Sequence, residues 1–184
     1  MRIRKTLWWI PFFIILILLL GSKDFWRLFY PLPHKSLIVN EATRNDLDPF
    51  LVAAIIKSES NFSPGAESRS GARGIMQIMP ETAVWAAEQM GLKEFHPDQL
   101  YDLKTNIKIG CWYLHNLNTE FAGNKILVIA AYNGGRGNVR EWLKSEAWSG
   151  EHSDVDRIPF PETREYVKKV LKYYKWYRYI YQEE

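Results

Sequence analysis

Residues 48–83 read DPFLVAAIIKSESNFSPGAESRSGARGIMQIMPETA. Asp48-Pro49 is a helix start, with Asp as N-cap and Pro at the first helical position. The helix it opens is predicted to reach Glu59 or Ser60. Val52, Ile55 and Ile56 lie seven, four and three residues before Glu59, so all four share one helical face. That apolar face is the one a fold buries. A carboxylate on it is disfavoured unless paired or neutral. Desolvation raises such a group's pKa toward the working pH, which suits a general acid. The competing reading is a Glu at a fraying helix end that turns to water or pairs with a base. Residues 61–74 are rich in Ser, Gly and Pro and read as a loop. Ser68, Gly71, Gly74 and Gln77 suggest backbone held close to a ligand with side-chain donors turned inward. A plain connection between helices has the same composition.

Outward from this stretch the pattern is helical nearly throughout. Residues 34–45 read as a first helix. Pro80 opens another, ended by Gly91. Leu103, Ile107, Cys111, Leu114 and Leu117 have the spacing of a long helix. Residues 126–131 form a short apolar helix broken by Gly134, Gly135 and Gly137, and residues 139–144 form the next. Residues 145–161 read as irregular, and residues 162–181 as a final, strongly aromatic helix. Strand alternation is missing, so the fold class is all-α. The Gly-rich element AYNGGRGNV, residues 131–139, follows no strand and lacks a P-loop lysine, which argues against a phosphate cradle. Its Tyr132 and Asn133 either bring a hydroxyl and an amide to a cleft or merely end a helix at its Gly cap.

At the N-terminus, Arg2, Arg4 and Lys5 precede an apolar run over residues 7–20. As a helix that run spans roughly 21 Å, short of the roughly 30 Å hydrocarbon core, so a cleavable signal peptide competes with an anchor. No small-x-small cleavage site follows, and Phe25, Trp26, Phe29 and Tyr30 suit an outer headgroup layer. The expectation is therefore an N-terminal transmembrane helix within residues 1–30, a linker over 31–35, and one helical domain over 36–184. The basic start predicts a cytoplasmic N-terminus and an extracytoplasmic domain at the cell membrane.

The chain is 47% hydrophobic and 24% charged, which fits a globular domain and argues against disorder. Aromatics reach 15%, suited to a sugar-binding cleft and equally to a well-filled small core. The net charge of +3 includes the basic start, so nucleic acid is not implied as a partner. One cysteine, Cys111, excludes an internal disulfide. His34, His96, His115 and His152 are scattered without metal-ligand spacing, so no metal is expected. No nucleophile elbow is present.

Three blocks, residues 59–83, AYNGGRGNV and PFPETREYV (residues 159–167), together resemble the signature of the soluble-type lytic transglycosylases, which share a lysozyme-like, goose-type fold. The resemblance covers residues 36–180. It implies cleavage of the bond between N-acetylmuramic acid and N-acetylglucosamine in peptidoglycan glycan strands, with 1,6-anhydromuramoyl ends as product and no cofactor. It carries over Glu59 as the single catalytic acid/base, and Ser68, Gln77, Met79, Tyr132, Asn133 and Glu162 as substrate-binding residues. Gly134 stands where the family often has Ala, and Ile75 where it often has Leu. Two other outcomes fit the same residues: a lysozyme-type hydrolase of the same bond, and a non-catalytic wall-binding scaffold.

Overall fold

A computed structural model describes residues 9–182. Its helices are α1 (Trp9–Gly21), α2 (Lys23–Arg27), α3 (Lys35–Arg44), α4 (Pro49–Ser60), α5 (Pro80–Gln89), α6 (Leu103–Glu120), α7 (Lys125–Gly134), α8 (Arg136–Lys144) and α9 (Pro161–Tyr181), with 3-10 turns at Pro97–Tyr101 and His152–Arg157. Among the described residues β pairing is limited to two isolated bridges, Glu67 with Arg73 and Arg73 with Ile78.

The centre of the domain is α4. Asp48 caps it by accepting from the Phe50 N–H at 2.8 Å, and Pro49 occupies the first turn. Every residue from Leu51 to Ile56 is buried. A helix apolar on all sides has neighbours on all sides. Here α9 makes the largest contact with α4, and α3 lies alongside as well. The second carboxylate oxygen of Asp48 accepts the Tyr174 hydroxyl at 2.6 Å, so the cap also ties α4 to α9. The long α6 starts at Asp102, which accepts the Thr105 N–H at 2.8 Å, and α7 starts at Asn124, which accepts from Ile126 and Leu127. One apolar core runs from Ile38 in α3 to Ile180 in α9.

Two boundaries and one connection differ from the sequence expectation. α7 does not stop at Ala131 but continues through Tyr132 and Asn133 to Gly134. α8 then begins at Arg136, because Gly135 alone, at φ +86°, makes the corner between them. Residues 145–161 contain the 3-10 turn already named.

The expected transmembrane helix is overturned. α1 has 13 residues, which makes a rod of about 20 Å against a hydrocarbon core of about 30 Å. Among the described residues no helix is long and apolar enough to cross a membrane. After Gly21 the extended backbone of Ser22 interrupts the helix, and the chain turns into the five-residue α2. The single-pass arrangement, the membrane partnership through that helix and the headgroup-layer reading thereby lose their spanning element. Arg2, Arg4 and Lys5, on which the cytoplasmic start rested, lie outside the described residues. Part of the aromatic cluster has another use: Trp26 and Tyr30 pack on Trp176 of α9, at ring separations of 4.4 and 5.1 Å.

Candidate active site

Glu59 sits in the last turn of α4, where the helix leaves the core and ends at Asn61 in a left-handed conformation. The residue is half-buried, yet its carboxyl group is largely withdrawn from water. Burial pushes its pKa up to about 7. The Tyr166 hydroxyl, which donates to Glu59 Oε1 at 2.6 Å, and the nearby Lys169 ammonium oppose that rise, while the Glu162 carboxylate adds to it. Lys169 donates to the Ser58 carbonyl at 2.9 Å, at the negative end of α4. Tyr166 is itself buried, and its hydroxyl is held well above its ordinary pKa by burial first and by Glu59 next. The hydroxyl therefore stays a donor at any working pH.

Tyr132, in the last turn of α7, is likewise held far above its usual pKa by burial and then by the charge of Glu59. Its hydroxyl donates to the Met76 carbonyl at 2.8 Å. Tyr132 lines a cleft of about 170 Å³ together with Gln77, Met79, Asn133 and, from neighbouring positions, Thr82 and Tyr113. A second, more open cavity of about 280 Å³ shares Thr82 and Tyr113 with the first.

The loop between α4 and α5 is pinned to its surroundings from three helices. Ser60 of α4 donates to the Ile75 carbonyl at 2.7 Å. Asn106 of α6, fully buried, accepts from the Met76 N–H at 2.9 Å and donates to the carbonyls of Arg73 and Leu100 at 2.9 and 2.8 Å. Tyr132 of α7 supplies the third tie. A side chain at Gly74, φ +77°, would collide with the Asn106 amide and the Leu100 carbonyl, so this position needs glycine. Gln77 adopts φ +48° and spends its amide on the Ala66 and Gly74 carbonyls.

The structure thus brings four of the sequence-predicted residues, Gln77, Met79, Tyr132 and Asn133, into one cleft lining. Glu59 is coupled to that cleft through Tyr132. Glu162 is exposed at the start of α9 and acts on Glu59 through its charge. Ser68 is placed otherwise: its hydroxyl accepts the Ala72 N–H at 3.0 Å and closes a turn within the loop. Sequence reasoning missed Tyr166, although it lies inside the quoted block PFPETREYV, and it missed Asn106. Asn106 is the buried asparagine of α6, with three hydrogen bonds, and the sequence does not set it apart from Asn116 and Asn118 of the same helix. Among the described residues no group of His, Cys, Asp and Glu is placed to hold a metal ion.

Comparison with known proteins agrees with this geometry. A family model described as the transglycosylase SLT domain matches residues 36–155, and one described as the soluble lytic transglycosylase helical domain matches residues 157–184. The chain is 40% identical over 153 residues to the soluble lytic murein transglycosylase of Escherichia coli, and 39% identical to that of Salmonella typhimurium, covering 82% of this chain in both cases. It spans only 24% of the length of each of these relatives. Its backbone superposes on the crystal structure of the 70 kDa soluble lytic transglycosylase of Escherichia coli with a TM-score of 0.79 at 39% identity, over 85% of this chain and 26% of that one. An inactive Glu→Gln mutant of the lytic transglycosylase Slt from Pseudomonas aeruginosa gives 0.76 at 35% identity, over the same shares.

Proposed function

Because the chain belongs to the transglycosylase SLT domain family, we propose that it is a peptidoglycan lytic transglycosylase with Glu59 as its single acid/base. The observation that carries this reading is the Glu59 carboxyl, raised to about 7 by burial and held by the Tyr166 hydroxyl, close enough to Tyr132 of the cleft lining for its charge to be felt there. An acid with that pKa keeps a large protonated fraction near neutral pH and loses its proton without a large penalty. The inactive Glu→Gln form of the Pseudomonas aeruginosa relative is consistent with one indispensable glutamate.

In the proposed reaction Glu59 donates its proton to the oxygen joining N-acetylmuramic acid to N-acetylglucosamine. The muramoyl N-acetyl carbonyl attacks its own C1 as that bond breaks, giving an oxazolinium-like intermediate. The ionised Glu59, steadied by the Tyr166 O–H and the Lys169 charge, then takes the proton from the muramoyl C6 hydroxyl. The freed oxygen closes on C1, opens the oxazolinium ring and leaves a 1,6-anhydro end. Water is neither consumed nor released. Two carboxylates are the usual equipment of glycosidases; here the substrate's amide takes the second one's place. Tyr132, Asn133, Gln77 and Met79 support this reading as groove residues that hold the two sugars, and Ser68 and Glu162 border the same loop and the same carboxyl.

Glu59→Gln is expected to lower solubilisation of purified wall by at least the roughly 10²–10⁴-fold that a positioned acid/base contributes, with the circular dichroism spectrum unchanged. Full activity in that variant would remove Glu59 from the mechanism. Product mass tests the chemistry separately. An anhydro end is one water lighter than a reducing end, and reducing ends would make the protein a hydrolase. Binding without any turnover by the native chain would make it a scaffold.

A further inference from the structure

Two residues of α9 meet the end of α4 that carries Glu59. Tyr166 donates to the Glu59 carboxyl at 2.6 Å. Lys169, three residues on and so on the same side of α9, donates to the Ser58 carbonyl at 2.9 Å. Ser58 and Glu59 share a peptide bond, so the second contact holds the backbone from which the acid projects. That carbonyl is one of the last four of α4, which the helix itself leaves without an N–H. Lys169 is exposed, and an exposed lysine ordinarily keeps its long stem free, because fixing it costs rotamer entropy. Here the stem is fixed, and its ammonium engages a backbone oxygen that belongs to another helix.

The ammonium also stands near a like charge. Lys57, two residues before Glu59, donates to the side chain of Asn61, the residue that ends α4. Its amine is pulled below its usual pKa by burial and then by Lys169. Two cations at one helix end repel each other. The partial negative charge of the α4 C-terminus offsets that repulsion, and so does the carboxylate that Glu59 becomes during turnover. The charged and titratable groups around Glu59 are Glu162, Tyr166 and Lys169 from α9, Tyr132 from α7 and, on α4 itself, Lys57. Lys57 stays on its own helix. Lys169 is the cation among them that crosses from α9 to α4.

We infer that Lys169 is a positioning residue for the reaction: anchored on the Ser58 carbonyl, it clamps the last turn of α4 to α9, keeps the Glu59 carboxyl on the Tyr166 hydroxyl, and fixes a positive charge near the place where the ionised acid forms. This inference rests on the proposed function and adds a residue that lies outside the lining of the cleft. A neighbouring cation favours the carboxylate over the acid. The charge of Lys169 acts on Glu59 in that direction, against burial and against Glu162. Without it Glu59 keeps its proton to a higher pH.

The test compares the native full-length chain with Lys169→Met, which keeps a long stem but loses the donor and the charge, and with Lys169→Arg, which keeps both. On soluble muramoyl–glucosaminyl oligosaccharides, Lys169→Met is expected to lose roughly tenfold in kcat with KM within about twofold, because the residue aligns the acid and does not touch the sugars. The alkaline limb of its kcat/KM profile moves to higher pH. Lys169→Arg restores both the rate and the limb. An NMR titration of the Glu59 carboxyl carbon in the ligand-free chain reads the same upward move without turnover, and a thermal melt of each variant checks that the fold is kept. A slower Lys169→Met with an unmoved limb and an unmoved carboxyl titration makes Lys169 a structural tie alone and overturns the inference, as does a Lys169→Arg that behaves like Lys169→Met. The proposed function fails on a different measurement, the absence of turnover by the native chain.

Discussion

The raised pKa of Glu59 has a thermodynamic consequence at the same residue. In the unfolded chain this carboxyl ionises near its ordinary 4.5, whereas in the folded chain it holds its proton to about 7. Below pH 4.5 both states are protonated, and the group contributes no difference. Between the two values the folded state binds more protons, so stability falls as pH rises. Above about 7 the native state carries a buried charge whose cost is fully present, at most about 3 kcal/mol. Glu59→Gln removes that charge. The variant is therefore expected to melt several degrees above the native protein at pH 8 and within a degree or two of it at pH 4. Scanning calorimetry across that range checks it, and equal melting differences at both pH values would mean that desolvation is not the cause. The burial of the Glu59 carboxyl was legible in the sequence because Val52, Ile55 and Ile56 place it on a face that had to be covered. Its partner Tyr166 was not, because their contact joins residues 107 apart and exists only once α9 packs on α4.

Among the elements, the loop between α4 and α5 depends most on one distant side chain. Asn106 satisfies a buried N–H and two carbonyls at once, all within or beside that loop. Asn106→Ala leaves those groups without partners and opens a void under Gly74. The expected loss is about 3 kcal/mol, and wall-lytic activity should fall with it, because the Met76 carbonyl that anchors Tyr132 moves too. Asp48→Ala, which removes the α4 cap, should cost less, about 1–2 kcal/mol. Urea denaturation of both variants sets the order, and the reverse order would place the weak point at α4 rather than at the loop. Helix starts were legible where a cap or a proline announced them, at Asp48-Pro49 and Pro80. The end of α7 was misjudged because Gly134 reads as a breaker. In the structure it continues the helix, packed so closely on Thr163 and Trp142 that a larger residue would press on both. Packing, not conformational freedom, decides that glycine.

At the scale of the whole molecule, residues 9–30 divide at Ser22 rather than acting as one appendage. No residue of α1 is buried. Immediately after it, Trp26 lies against Trp176 and donates to the Leu20 carbonyl at 2.8 Å, and Tyr30 stacks on Trp176. The α9 hydroxyls of Tyr177 and Tyr181 reach back to the Pro31 and Tyr30 carbonyls, at 3.1 and 3.0 Å. The apolar run misled because hydropathy counts residues and not partners: the aromatics that suited a headgroup layer are an attachment of the chain to its own last helix. Removing residues 1–22 takes away only the Leu20 carbonyl from this set and should leave the melting temperature within a degree or two of the full chain. Removing residues 1–33 takes away the stacked rings and both acceptors. The two aromatic pairs at roughly 0.5–1.5 kcal/mol each and the two hydrogen bonds at about 1 kcal/mol each add to about 3–5 kcal/mol, or roughly 6–20 °C for a domain of this size. Because α9 also carries Tyr166, the longer deletion is further expected to loosen the Glu59 carboxyl and lower wall-lytic activity, whereas the shorter one leaves it intact. Equal melting temperatures for the two truncated chains would show that α9 holds its place on α4 without the N-terminal aromatics.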